Sequence, residues 1–209
     1  MADKNYLAML HDNFLAKVGE LFDIPAQIGG KIINVKNANN VNLNTLPNGF
    51  MPKMPMDTEY YNLFVVGEYG TELKSPFFVP LELALKKGID RDVKNEFFSM
   101  NKAVRERIKR FPSIFTYANS INGHTEIDHS AVYGMVIEIE CLDGVGYMIS
   151  WSSLSPGFVP QNDLIAHAEE FSLGMAPHGN ELDDVHWTIK KRNVIEALRG
   201  IGIEPMVFM

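Results

Sequence analysis

The 209-residue sequence predicts a single α+β domain, an antiparallel sheet centred on a hairpin over residues 131–151 with helices packed on it. Three observations carry that prediction. The odd positions Ala131, Tyr133, Met135, Ile137, Ile139 and Cys141 are all apolar, and so are Val145, Tyr147, Ile149 and Trp151 beyond an Asp143-Gly144 turn. Other stretches repeat apolar residues at intervals of three and four, the mark of half-buried helices. An apolar fraction of 46% is enough to build a core of domain size.

Taken in order, Leu7, Leu10, Phe14, Val18 and Leu21 predict a helix over 3–22, ended by Pro25 and Gly29-Gly30. Residues 31–35 read as a short strand and the Asn-rich stretch 37–55 as a long irregular loop. The aromatic and β-branched run 60–69 predicts a strand, Gly70 a turn, and 71–79 a second strand. Residues 81–87 read as a short helix stopped by Gly88. Asp90 or Asp92 then caps one long helix with the stripe Val93, Phe97, Met100, Val104 and Ile108, ended by Pro112. A strand over 113–117 and a polar loop over 118–128 lead into the hairpin.

Register in the hairpin follows from its faces. Pairing Leu142 with Val145 across a two-residue turn would split the two apolar sets between faces. A three-residue loop over 142–144, with Gly144 left-handed, pairs Cys141 with Val145 and Ile139 with Tyr147 and keeps both sets together. Beyond it, 152–160 reads as a connection rich in Ser and Pro, and Asn162 caps a helix bearing Leu164, Ile165, Ala168 and Phe171. Residues 175–184 read as loop. Asn193 and Glu196 have capping-box spacing for a last helix with Val194, Ile195 and Leu198, and 203–208 returns as a strand.

Charge divides the chain into a helical, basic portion (1–110) and an acidic, strand-rich one (111–209). Nine basic residues lie between Lys86 and Arg110, whereas 111–189 holds none, against eleven Asp and Glu and five of the six histidines. The net charge of −7 disfavours a whole-surface nucleic-acid binder, although the basic helix over 90–110 leaves nucleic acid open as a partner. One cysteine excludes an internal disulfide or a cysteine-rich zinc site. With no apolar leader in the first ten residues and no run of membrane-span length, the reading is a soluble cytoplasmic protein.

Candidate chemistry falls in three places. His124, Glu126, Asp128 and His129 sit in a loop leading to a strand, and His124, Asp128 and His129 with His186 could hold zinc or manganese for a metal-dependent hydrolase acting on phosphodiesters. The spacing matches no standard zinc pattern, and local hydrogen bonding is the better account of such a polar loop. The second place is 178–187, with His178, Glu181, Asp183, Asp184 and His186, which read alone is an acidic helical first turn. The third is Asp57 followed by Glu72-Leu73-Lys74, the order used by PD-(D/E)xK nucleases. His167 reads as a hydrogen-bonded histidine beside the buried stripe. P-loop, dinucleotide and nucleophile-elbow motifs are all absent from the sequence.

The run Asn180-Glu181-Leu182, His186-Trp187, Ile189-Lys190, Asn193, Ile195-Glu196 resembles a phrase of uncharacterised bacterial proteins found near effector or defence modules. Gly123, Asp128-His129 and Tyr133-Gly134 extend that resemblance, which carries no catalytic residues. The expectation is therefore a bacterial or phage binding protein with a protein partner, self-association being open. Its acidic half, through Asp183 and Asp184, and its basic helix, through Arg105, Lys109 and Arg110, would present opposite fields.

Overall fold

The alternating run after Tyr60 forms the first strand of a mixed six-stranded sheet in the computed structural model, which describes residues 55–68, 73, 75–125 and 129–208. The strands are β1 (Tyr61–Glu68), β2 (Phe77–Pro80), β3 (Pro112–Ala118), β4 (Ser130–Leu142), β5 (Gly146–Pro160) and β8 (His186–Lys190), in the order β2-β5-β4-β3-β1-β8. A separate two-stranded hairpin joins β6 (Met175–Ala176) to β7 (Gly179–Asn180). All neighbours in the main sheet are antiparallel except β1 and β3. That parallel pair requires a crossover, and the chain makes it through β2 and two helices, α1 (Arg91–Phe97) and α2 (Lys102–Ile108). The predicted helix over 3–22, the strand over 31–35 and most of the Asn-rich loop lie outside the described residues.

Alternation along β1 sets the two layers. Tyr61, Leu63 and Val65 face a core closed by α3 (Gln161–Ala166) and α4 (Val194–Gly200), through Leu164, Val194, Ile195 and Leu198. Phe64 faces the opposite core, closed by Val93 and Phe97 of α1 and Ile108 of α2. There Phe64 stacks between Phe115 and Trp187 at 5.0 and 5.2 Å, and Phe115 stacks on Trp151 at 4.3 Å. Each fully buried ring of this ladder contributes about 1.5–3 kcal/mol. The polar Asn62 is buried in the same layer with every group matched, donating to Ile108 O and Ser113 Oγ and accepting from Trp187 Nε1.

The hairpin keeps the predicted parity but not the predicted pairs. Cys141 faces Tyr147 and Ile139 faces Ile149, two residues further along β5, across a turn of Asp143, Gly144 and Val145. Gly144 is left-handed, with φ +72°. A shift of two preserves the face, so Ile139, Tyr147 and Ile149 share one core. The single-face expectation for the odd positions of β4 is corrected by register shifts between Val132 and Gly134 and between Val136 and Glu138. Ala131, Tyr133 and Met135 pack on one core, and Val132, Val136 and Ile139 on the other.

Six other expectations change, the first being the loop read over 175–184, which forms β6, β7 and a 3-10 turn over Glu181–Asp183. Residues 81–87 form no helix, because the backbone bonds β8 instead: Leu85 N–H donates to Trp187 O at 2.8 Å and Trp187 N–H to Leu83 O at 2.9 Å. The long helix over 90–110 is two. It breaks at Met100, whose φ is +44°, and Asn101 recaps the chain by accepting from Val104 N–H at 3.0 Å. The stretch 152–160 is strand, since Leu154 and Val159 are buried and pairing with β4 resumes from Val132–Phe158 to Ser130–Pro160. Asn162 lies inside α3, whose N-cap is Pro160, whereas Asn193 caps α4 as expected. Residues 203–208 form no strand and are held by single bonds such as Met206 N–H to Ser155 O at 2.9 Å. No helix among the described residues is long and apolar enough to cross a membrane.

Candidate functional site

Strand β8 alternates, so Trp187 and Ile189 enter the aromatic core while His186, Thr188 and Lys190 line the other face. Onto that polar row the chain folds a short 3-10 turn, Glu181–Asp183, started by a capping box. Asn180 accepts from Leu182 N–H at 2.9 Å, and Asp183 returns to Asn180 N–H at 2.6 Å. The turn delivers Glu181, its side chain only 3% exposed, between His186 and Lys190.

A buried carboxylate persists only when paired and hydrogen-bonded. Lys190 Nζ lies 2.7 Å from Glu181 and also donates to Gly88 O at 2.6 Å. Gly174 N–H donates to Glu181 Oε2 at 2.7 Å, and His186 Nε2 lies 3.3 Å from Oε1. Burial pushes the Glu181 carboxyl up, but His186, Lys190 and the Gly174 amide together outweigh it and hold the group below its ordinary value. His186 Nδ1 donates to Asp184 O at 2.7 Å, so both ring nitrogens are engaged. Gly88 makes the approach possible. Its φ is +62°, and a Cβ there would lie 1.8 Å from Glu181 Oε1.

Asp183 is a second hub. It accepts from Asn119 Nδ2 at 2.7 Å and from the amides of Gly123 at 2.8 Å and Asn180 at 2.6 Å. Burial raises its pKa, and these three donors outweigh that and lower it. Through Asp183 the loop after β3 is tied to the 178–183 segment, so two sequence clusters meet. Behind it, Gln161 bridges Thr116 Oγ1, Tyr117 O and Asn119 Oδ1, and Thr125 donates to Asn119 as well. Above Glu181 and Asp183 opens a groove of about 600 Å³, walled by Gly88, Gly174 and the β6–β7 hairpin, with Asn122 and the exposed Lys87–Asp184 ion pair also lining it.

The remaining predicted residues have separate fates. His124 is exposed on the loop and His129 is buried at the entry to β4, where its carbonyl accepts from Gln161 N–H at 3.0 Å. Asp128, Glu72 and Lys74 lie outside the described residues, and Asp57 accepts from Glu59 N–H at 3.1 Å and faces Arg107 at 3.6 Å. Among the described residues, no group of three or more His, Cys, Asp and Glu is placed to hold a metal ion. Arg105 donates to Met100 O at 2.7 Å, Lys109 meets Glu106 and Glu138 at 2.9 and 3.2 Å, and Arg110 donates to Pro55 O at 3.1 Å. His167 is half-exposed, 3.7 Å from Glu170.

Lys190, Gly88, Asn119 and Gln161 are structural members of the site that sequence reasoning does not single out. The signal for Lys190 is its position as the first cation after a 79-residue stretch without one. Among the described residues, cations from outside that stretch meet its acids in three places, Lys87 with Asp184, Lys109 with Glu138 and Lys190 with Glu181. Three of that stretch's eleven acids are therefore neutralised by these pairs. No protein-family model, no curated protein and no solved structure matches the chain.

Proposed function

We propose that this chain is a binding and regulatory protein of a bacterial or phage cytoplasm, and that the groove over Glu181 receives an apolar side chain of a protein partner. The observation that carries this reading is the saturation of the site's acids. Glu181 and Asp183 each accept from at least three internal donors, which suits a rigid floor better than a proton donor or a metal ligand. What the groove offers a partner is its walls, where Met175 is 57% exposed and Ile121, beside the groove-lining Asn122, is 64% exposed. The C-terminal phrase, which resembles one in uncharacterised bacterial proteins near defence modules, includes the floor residues Glu181, His186 and Lys190 and fits a regulatory role.

A photo-crosslinking residue at Ile121 tests the reading, with the same residue at Val145, on the distant hairpin turn, as control. In the native host, Ile121 should give one protein adduct that Val145 does not, and Met175→Lys should reduce it about tenfold, the loss of one well-packed interface anchor. Equal adducts at both positions would remove the proposal. Elemental analysis finding stoichiometric zinc or manganese in the purified protein would replace it with a metal-dependent hydrolase.

A further inference from the structure

The basic residues between Arg91 and Arg110 separate into two classes once their partners are assigned. Arg105, Arg107, Lys109 and Arg110, all in or just after α2, are turned onto the protein itself. Arg107 pairs with Glu96 and lies 5.0–5.9 Å from the ring centroids of Tyr60, Phe97 and Phe111. Arg91, Lys94 and Lys102 have no ion pair among the described residues.

Arg91 and Lys94 lie on α1, whose C-cap Phe98 is the most exposed large apolar side chain described, at 67%, and Lys102 opens the next helix. Phe98 keeps helical dihedrals at the end of α1, φ −58° and ψ −34°. At about 100° per residue, positions 91, 94, 95 and 98 fall within roughly 100° of arc. Val93 and Phe97, both buried, occupy the opposite side. Asp92 and Glu96 lie around the flank, Glu96 facing Tyr60 and Arg107 and Asp92 in the first turn, where it complements the helix dipole. Lys102 follows directly, as the first residue of α2. Along this stripe Arg91, Asn95 and Phe98 are exposed, Lys94 is half-buried at its edge, and the exposed Lys102 follows past the bend.

We propose that this stripe binds single-stranded nucleic acid, with a base stacked on Phe98 and phosphates on Arg91, Lys94 and Lys102. An unpaired aromatic face beside unpaired cations is the minimum single-strand platform, since every base offers a π-face and every linkage a charge. Asn95 supplies an amide able to meet a base edge. An anionic membrane fits less well, because an interfacial helix buries a broad apolar face and this one exposes a single large apolar residue. The surface is separate from the groove over Glu181 and does not depend on that site's function.

Fluorescence anisotropy of the full chain with a labelled oligothymidine of about twelve nucleotides at low salt tests it, within the usual range of single-strand site sizes. Phe98→Ala should weaken binding roughly tenfold, in line with one stacked base. The pair Arg91→Glu and Lys94→Glu should weaken it further, and the wild-type log–log salt slope should be about −2, for three phosphates. Arg199→Ala, which removes an exposed cation paired with Glu204 from α4, a helix of the opposite core, should leave affinity within about twofold. Absent binding at low salt, an unaffected Phe98→Ala variant, or capture by acidic lipid vesicles without oligonucleotide binding would each overturn the proposal.

Discussion

Glu181 and Asp184 stand three residues apart and each meets a lysine, yet the two pairs belong to different physical regimes. The Glu181–Lys190 pair has side chains 3% and 7% exposed, while those of Lys87 and Asp184 are 51% and 61% exposed. In water the attraction is screened and the entropy of two long side chains offsets it, so an exposed pair adds roughly 0–1 kcal/mol. Inside the protein the attraction is strong, but so is the cost of dehydration, and only complete pairing makes burial tolerable. The chain commits four groups to that end, the Gly174 amide, the Gly88 carbonyl, His186 and Lys190. A buried pair of this kind is a poor source of net stability and a strong constraint on geometry, because losing one member strands the others.

Breaking the buried side of the comparison should give the largest effect. Glu181→Ala leaves Lys190 and His186 buried without their carboxylate and should cost about 3–5 kcal/mol in urea unfolding. A loss under about 1 kcal/mol would mean that water reaches Lys190 and that the pair behaves like its exposed neighbour.

Acid should expose part of the same term. Glu181 has its folded pKa below the unfolded value of about 4.3, so its contribution is complete above about pH 5 and disappears as pH falls through the folded value. Asp183 acts with the same sign. Glu181→Gln removes the titration while keeping the shape, so the stability gap between wild type and variant should narrow steadily from pH 6 to pH 3. A gap independent of pH over that range would show that the charge of Glu181 is not what the site uses.

These contrasts also mark how much could be read in advance. The sheet's hairpin was legible because two strands of alternating residues constrain each other, and parity survived a pairing shift of two. The cap at Asn193 was legible because capping is local. The helix break at Met100 was not, because the apolar stripe runs through it, and only the positive φ and the Asn101 cap mark the bend. The floor of the groove was half legible. Glu181, Asp183 and His186 stand out as polar residues near one another in sequence, but Gly88 and Lys190 join them only through the alignment of 83–88 along β8. Such long-range pairings leave little trace in local pattern, and an isolated Gly reads as a helix stop before it reads as space for a carboxylate.

The exposed side of the comparison gives the smallest expected effect and the sharpest control. In a double-mutant cycle of Lys87→Ala and Asp184→Ala, the coupling should be about 0.2–1 kcal/mol and should fall further in 1 M salt, where the Debye length is about 3 Å. The Asp184 backbone carbonyl that accepts from His186 Nδ1 survives this substitution, so the buried network remains intact in the variant. A coupling well above 1 kcal/mol would therefore not come from the ion pair in water. It would mean that Lys87 and Asp184 clamp the 83–88 segment onto β8, and that the groove's rim and floor move as one unit rather than as a rigid base under an adjustable edge.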